Sequence, residues 1–162
     1  MAGDNTCRIT RPPEMRTQML IRKPAPEVFE AFADPTITSR FWFTKSSGRI
    51  EPGAEIEWEW EMYNVSAKVK VKEVEENRRI VIEWGDEQDG FTTVEWRFFP
   101  WKDDTTFVTI NEKGYVGDGD QVVARAIDSM GGFSFVLAAA KALLEHNIVL
   151  TVTADHAPAE HP

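Results

Sequence analysis

From Glu55 to Lys72 the chain alternates charged or polar positions with apolar ones. Ile56, Trp58, Trp60 and Met62 alternate with Glu55, Glu57, Glu59 and Glu61. Beyond Tyr63-Asn64, Val65, Ala67, Val69 and Val71 alternate with Ser66, Lys68, Lys70 and Lys72. A period of two is the spacing of a strand with one covered face, and two such runs back to back read as a hairpin. A two-residue turn at Tyr63-Asn64 would set Met62 opposite Val65, Trp60 opposite Ala67, Trp58 opposite Val69 and Ile56 opposite Val71. The other face would then match Glu59, Glu57 and Glu55 with Lys68, Lys70 and Lys72. A slip by one residue would turn the charges inward, so the two faces together restrain the register. Exposed pairs of this kind contribute only about 0.2–1 kcal/mol each.

The same period recurs downstream. Ile80, Ile82 and Trp84 share a side in 78–86. Val94, Trp96 and Phe98 do so in 90–100, and 105–114 reads as a last long strand. An earlier strand is expected over 15–23. Successive strands with one polar side predict an antiparallel sheet with one wet face. Two segments carry helical spacing instead. Residues 24–35 place Val28, Phe29 and Phe32 on one face behind Pro26 and Glu27, which suit a first turn. A second short helix is expected over 36–43. Residues 117–147 place Ala126, Met130, Phe133, Leu137, Ala140 and Leu144 in one stripe, with a kink or break expected at Gly131-Gly132. Residues 1–14 read as a flexible arm, 15–153 as one domain and 154–162 as a flexible tail.

Composition narrows the picture. A chain of 162 residues fits one domain with a substantial core. Six tryptophans and ten phenylalanines against two tyrosines suit a large core or an apolar pocket. A formal net charge of −9 argues against nucleic acid and anionic membrane surfaces as partners. The single cysteine, Cys7, excludes an internal disulfide and makes a reducing, cytoplasmic setting the default. The apolar stretch 133–144 is interrupted by Lys141, so membrane insertion is not expected.

Strand, short helices, a run of antiparallel strands and one long amphipathic helix together make an α+β architecture. One helix is narrower than a sheet of six or seven strands (about 10 Å against roughly 30 Å). Space is therefore left between them, with small residues on the helix and tryptophans on the sheet. The segments "APEVFEAFADPTITSRFWF", "EPGAEIEWEW", "VKEVEENRRIVIEW" and "TTFVTINEKGY", followed by the glycine-led "GGFSFVLAAAKALLEHN", occur in an order that resembles the START-like (SRPBCC) superfamily. The branch most similar is the one related to the C-terminal domain of heat-shock-chaperone ATPase activators. The resemblance covers roughly residues 16 to 150 and rests on several weak motifs in order. It implies the helix-grip fold: a curved antiparallel sheet around a long C-terminal helix, with two short helices after the first strand and an apolar cavity between. Members of the superfamily bind lipids, sterols or polyketides, and some are cyclases or hydratases. Two departures stand out. Phe41-Trp42-Phe43 occupies a region where relatives often carry one tryptophan, and 148–158 runs past the usual end with β character.

The candidate ligand-lining residues are Phe32, Trp42, Trp58, Trp60, Val69, Trp84, Trp96, Glu112, Met130, Phe133 and Leu137. For the tryptophans, plain core packing is the competing reading. Strand ends are usually wet, so Glu112 is expected to reach solvent. Turned inward, in phase with Val108 and Ile110, it becomes a hydrogen-bond anchor or acid beside the cavity. No P-loop, dinucleotide-binding glycine motif or zincin motif is present. His146, His156 and His161 are poorly placed for a common metal, so no metal, cofactor or catalytic residue is assigned. The expected function is binding of an apolar or aromatic small molecule, lipid-like or polyketide-like, with binding favoured over catalysis and the enzyme question left open. Two alternatives stand beside it. One is a cyclase or hydratase that uses Glu112 or Asn111. The other, implied only by the resemblance, is a chaperone-activator-like stress-response partner. A homodimer through an edge strand or the C-terminal extension is a further expectation.

Overall fold

The computed structural model describes residues 7–162, so residues 1–6 of the expected N-terminal arm lie outside the described residues. The elements are β1 (Met15–Ile21), α1 (Ala25–Ala33), α2 (Pro35–Thr38), β2 (Lys45–Ser46), β3 (Glu55–Trp60), β4 (Val65–Glu75), β5 (Arg79–Asp86), β6 (Gly90–Trp101), β7 (Thr105–Lys113), α3 (Gly119–His146) and α4 (Val152–Asp155). The strands form one antiparallel, open, curved sheet in the order β1-β7-β6-β5-β4-β3-β2, with α3 along its inner side. This is the helix-grip arrangement.

The β3–β4 hairpin keeps the expected faces but not the expected register. Trp60 pairs with Val65, Trp58 with Ala67 and Ile56 with Val69. The shift is two residues, because Glu61–Tyr63 winds into a 3-10 turn closed by Asn64 at φ 50°. Four loop residues therefore replace the two-residue turn. An even shift leaves inward residues inward, so Ile56, Trp58, Trp60, Val69 and Val71 are all buried. The cross-strand charge pairs change partners: Glu57 is opposite Lys68, and Glu55 opposite Lys70.

Helix α1 closes one end of the trough. Phe29 meets Phe98 edge-on at 5.6 Å, and Phe32 lies 5.4 Å from Phe41 and 6.2 Å from Trp96. The Asp34 carboxylate caps α2 by accepting from the Thr36 backbone N–H at 3.0 Å. The helix ends after Thr38, so the expected second helix is one turn long. The chain beyond it turns Phe41, Trp42 and Phe43 into the core.

Helix α3 starts with a capping box, in which Asp118 and Gln121 each accept the other's backbone N–H at 2.9 Å. It runs uninterrupted through Gly131-Gly132, against the expected break. A β-carbon at either glycine would meet no atom within 4 Å, so nothing there forces a bend. The C-terminal half is anchored on the sheet. Val136, Leu137, Ala139, Ala140 and Leu143 are buried, and α3 packs most extensively against β1. The N-terminal half stands away from the sheet. Met130 is 49% exposed and Ile127 69%. The expected stripe is therefore correct at Phe133, Leu137 and Ala140 and wrong at Met130, because the true stripe shifts toward Val136, Ala139 and Leu143 where the helix crosses β1. By length and apolar content α3 would be long enough to cross a membrane; in this fold it is the core helix that the sheet curves around.

Two side chains lock α3 to β1. Lys141 donates to the Leu20 carbonyl at 2.8 Å and to Glu145 Oε2 at 2.6 Å, and Glu145 also accepts from the Arg22 backbone N–H at 2.9 Å. Burial alone would raise the Glu145 carboxyl. The Arg22 N–H and the Lys141 ammonium outweigh it and hold the group below the usual carboxylate range. A carboxyl with a lower folded than unfolded pKa contributes stability that is complete above the unfolded value and lost as pH falls through the folded one. Glu145→Gln is thus expected to cost about 1–3 kcal/mol at neutral pH, and the gap to the unmodified chain should shrink below about pH 5. Denaturant titrations across pH measure it; a gap that stays constant into acid would refute the assignment.

The segment after α3 is not a strand. Residues 148–151 carry no regular structure, and α4 follows within the region expected to be extended or loose. Tyr63 holds α4 in place, its hydroxyl lying against the Thr153 carbonyl and 3.1 Å from that of Ala154.

Candidate functional site: an aromatic wedge and a polar-ended cleft

The tryptophans of the sheet face another tryptophan. Trp42 lies 4.8 Å from Trp58, 6.0 Å from Trp60, 5.8 Å from Trp84, 6.1 Å from Trp96 and 5.5 Å from Phe133, ring centre to ring centre. Phe43 stacks on Trp58 at 4.9 Å. Trp42 is thus a wedge that fills the middle of the trough. The hollow that remains is displaced toward the N-terminal half of α3, where the helix stands off.

That hollow is a cleft of about 560 Å³. Trp42, Trp60 and Trp84 form its floor, and Phe133 and Phe135 come from α3. Tyr63 and His156 stand at the α4 end, and Glu112 and Tyr115 at the end of β7 and just beyond. Of the residues singled out from sequence, Trp42, Trp60, Trp84, Glu112 and Phe133 line it. Phe32, Trp58 and Trp96 do not. With Trp42 they enclose a void of only about 10 Å³, because the wedge occupies the space they were expected to border. Val69 and Leu137 are fully packed core, and Met130 points away on the exposed side of α3. The Trp96 indole Nε1 is buried with no hydrogen-bond partner among the described residues.

Glu112 is 4% exposed, against the expectation that it reaches solvent. The strand does not end wet here, because Tyr115 folds back over it after Gly114, which sits at φ 90°. Oε2 accepts from Trp84 Nε1 at 2.6 Å and from the Thr92 hydroxyl. Oε1 accepts from the Tyr115 hydroxyl at 3.0 Å and from the Ser129 hydroxyl. A carboxylate with two donors on each oxygen has its lone pairs engaged. Burial first, then the Glu112 carboxylate, raises the Tyr115 phenol well above its ordinary pKa. Asn111 is turned the other way, donating to the Met15 carbonyl at 3.1 Å. Around the opening, Asp86, Asp89 and Asp128 are exposed, and Arg125 donates to the Asp89 carbonyl at 2.7 Å.

Sequence reasoning missed Tyr63, Thr92, Tyr115, Ser129 and Phe135. Thr92 was within reach, since it continues the inward phase of Val94 and Trp96. Ser129 precedes Phe133 by one helical turn. Tyr63 lies within the 3-10 turn and Tyr115 just after Gly114, both beyond any periodic signal. Among the described residues, no group of three or more His, Cys, Asp or Glu side chains converges to hold a metal ion.

The fold has relatives. A protein from Staphylococcus saprophyticus, SSP2350, is 30% identical and superposes with a TM-score of 0.72 over 85% of this chain and 96% of its own. CalU16 from Micromonospora echinospora is 16% identical, with a TM-score of 0.68 over 86% of this chain and 78% of its own. The Aha1 dimer from Colwellia psychrerythraea is 14% identical, with a TM-score of 0.70 over 83% and 97%. No curated protein shows significant sequence similarity to the chain. The model of the family described as Activator of Hsp90 ATPase homolog 1-like protein matches residues 22–145, a span that runs from the end of β1 through nearly all of α3. The chain therefore belongs to the Activator of Hsp90 ATPase homolog 1-like family, within the START-like superfamily.

Proposed function

We propose that the chain is a binding protein for an apolar or aromatic small molecule, held in the cleft beneath α3. The observation that carries this reading is a hollow of about 560 Å³ floored by three interlocked tryptophans and closed at one end by a buried polar cluster. Volumes of this order, with apolar walls and few polar groups, are typical of small-molecule sites. Burying about 300 Å² of apolar ligand surface at roughly 25 cal/mol per Å² contributes about 7 kcal/mol before ordering costs, enough for affinities in the micromolar range or somewhat weaker. A catalytic role for Glu112 is less favoured, because its lone pairs already serve four protein donors. The activator role in the family's name and the dimer formed by the Colwellia protein belong to those proteins; nothing in this cleft requires either.

The test uses N-phenyl-1-naphthylamine, a neutral fluorescent probe, with tryptophan emission read in parallel. Saturable binding at micromolar concentrations with quenching of the tryptophans is expected. Gly132 borders the cleft, and its missing side chain would meet open space. Gly132→Leu should therefore fold normally and bind at least tenfold more weakly. Absence of saturation up to millimolar probe, or equal binding by Gly132→Leu, would overturn the reading.

A further inference from the structure

The polar end of the cleft has a direction, set by its hydrogen atoms. An ionised carboxylate accepts and never donates, so every group bonded to Glu112 must be giving its hydrogen to it. The hydroxyls of Thr92, Tyr115 and Ser129 each own one hydrogen, and all three are committed to Glu112. The Trp84 indole N–H is committed there too. All four residues border the cleft. What the hydroxyls present to an occupant is therefore lone pairs. At the other end the Tyr63 hydroxyl is also spent, on the carbonyls of α4.

Charge points the same way. The cleft is bordered by the carboxylates of Asp86, Asp89, Glu112 and Asp128 and by one guanidinium, Arg125, which is held against Asp89 at 2.7 and 3.4 Å. The aromatic floor is attractive to a cation as well, through the negative faces of its rings. At the Glu112 end an anionic head group would meet acceptors and a carboxylate and lose its hydration without replacement. A head group that donates finds partners ready.

We infer that the cleft selects ligands carrying a hydrogen-bond-donating cationic nitrogen on an aromatic or apolar body, such as an arylalkylamine, over the corresponding carboxylates. This rests on the reading of the cleft as a ligand site. The selectivity is a difference of affinities, produced as much by the mismatch with acceptor heads as by the match with donors.

The experiment displaces N-phenyl-1-naphthylamine with a matched pair, 2-naphthylmethylamine and 2-naphthoate. Titrations are run at low salt and again at 0.5 M sodium chloride, where the diffuse attraction of an acidic protein for cations is screened. The amine is expected to bind at least tenfold more tightly than the carboxylate at both salt concentrations. In Glu112→Gln the side-chain amide must itself find acceptors among the same hydroxyls, which releases at least one hydroxyl hydrogen toward the cleft. The amine-to-carboxylate ratio should then fall at least threefold. Should Glu112→Gln fail to fold, Thr92→Val removes one acceptor at nearly constant shape and should lower the same ratio. Equal affinities, a tighter carboxylate, or a preference that vanishes at 0.5 M salt would overturn the selectivity while probe binding still upheld the site. If neither the probe nor either naphthalene derivative binds, the site and its selectivity fall together.

Discussion

Trp42→Ala is expected to lower the stability of the folded chain by about 3–5 kcal/mol, the range found when a large buried aromatic side chain is removed. The ring is 8% exposed and sits within 6.1 Å, centre to centre, of five other large aromatic rings drawn from β3, β5, β6 and α3. These elements are braced by sheet hydrogen bonds and by the Lys141–Glu145 clamp, so they cannot close over the vacated volume. Trp42→Phe keeps much of the wedge and should cost about 1–2 kcal/mol. Trp101→Ala is the control. That ring is 54% exposed on the outer face of β6 and touches only Phe107 among the described aromatic rings, at 5.5 Å, so its loss should stay below about 1.5 kcal/mol. Urea denaturation followed by far-UV circular dichroism gives all three. A loss below about 1 kcal/mol for Trp42→Ala would show that the ring is a movable wall and not the wedge between sheet and helix.

Gly85→Ala should be the most damaging single-methyl change in the chain, at about 2–6 kcal/mol, combining backbone strain with overpacking. Gly85 has φ 146°, a conformation open to glycine, and a β-carbon there would lie 2.1 Å from the Gly90 carbonyl oxygen. The obstacle is backbone on the facing strand, where Gly85 pairs with Phe91, so no side chain can swing aside. Gly131→Ala provides the opposite sign. Its added methyl meets nothing within 4 Å inside a helix, and the gain in helix propensity should stabilise the chain by about 1 kcal/mol. The two substitutions add the same atoms, and thermal unfolding should move them in opposite directions. Parallel shifts would mean that the tight β5–β6 approach is not as described.

The amount legible in the sequence followed from how local each signal was. The strands Arg79–Asp86, Gly90–Trp101 and Thr105–Lys113 announced themselves by alternation, which depends only on residues two apart. The hairpin faces were equally legible, but the turn was not. Tyr63-Asn64 carries no strong two-residue turn signal, and a 3-10 turn at Glu61–Tyr63 moved the register by two while leaving the faces intact. The family was legible as well, from the order of weak motifs, and the match over residues 22–145 bears it out.

The candidate site was half legible. An inward tryptophan can be read from its phase, but phase does not say whether the ring meets a ligand-sized hollow or another ring. Trp58 and Trp96 are equivalent to Trp60 and Trp84 by pattern, yet the first two are packed core and the second two border the cleft. The difference is where Trp42 lands, which depends on a one-turn helix ending at Thr38. Glu112 was misjudged for the same reason: its four donors come from β5, β6, α3 and the turn after β7.

Alternation and helical spacing were enough, without coordinates, to establish an antiparallel sheet, its buried face and the long helix laid against it, because each repeats over a few neighbouring residues and burial rewards the pattern wherever it occurs. The position of the hollow, the wedge that limits it and the four donors gathered on Glu112 at its closed end were decided only in three dimensions. Each of them is a meeting of side chains far apart in the chain, and no short-range rule constrains which ones meet.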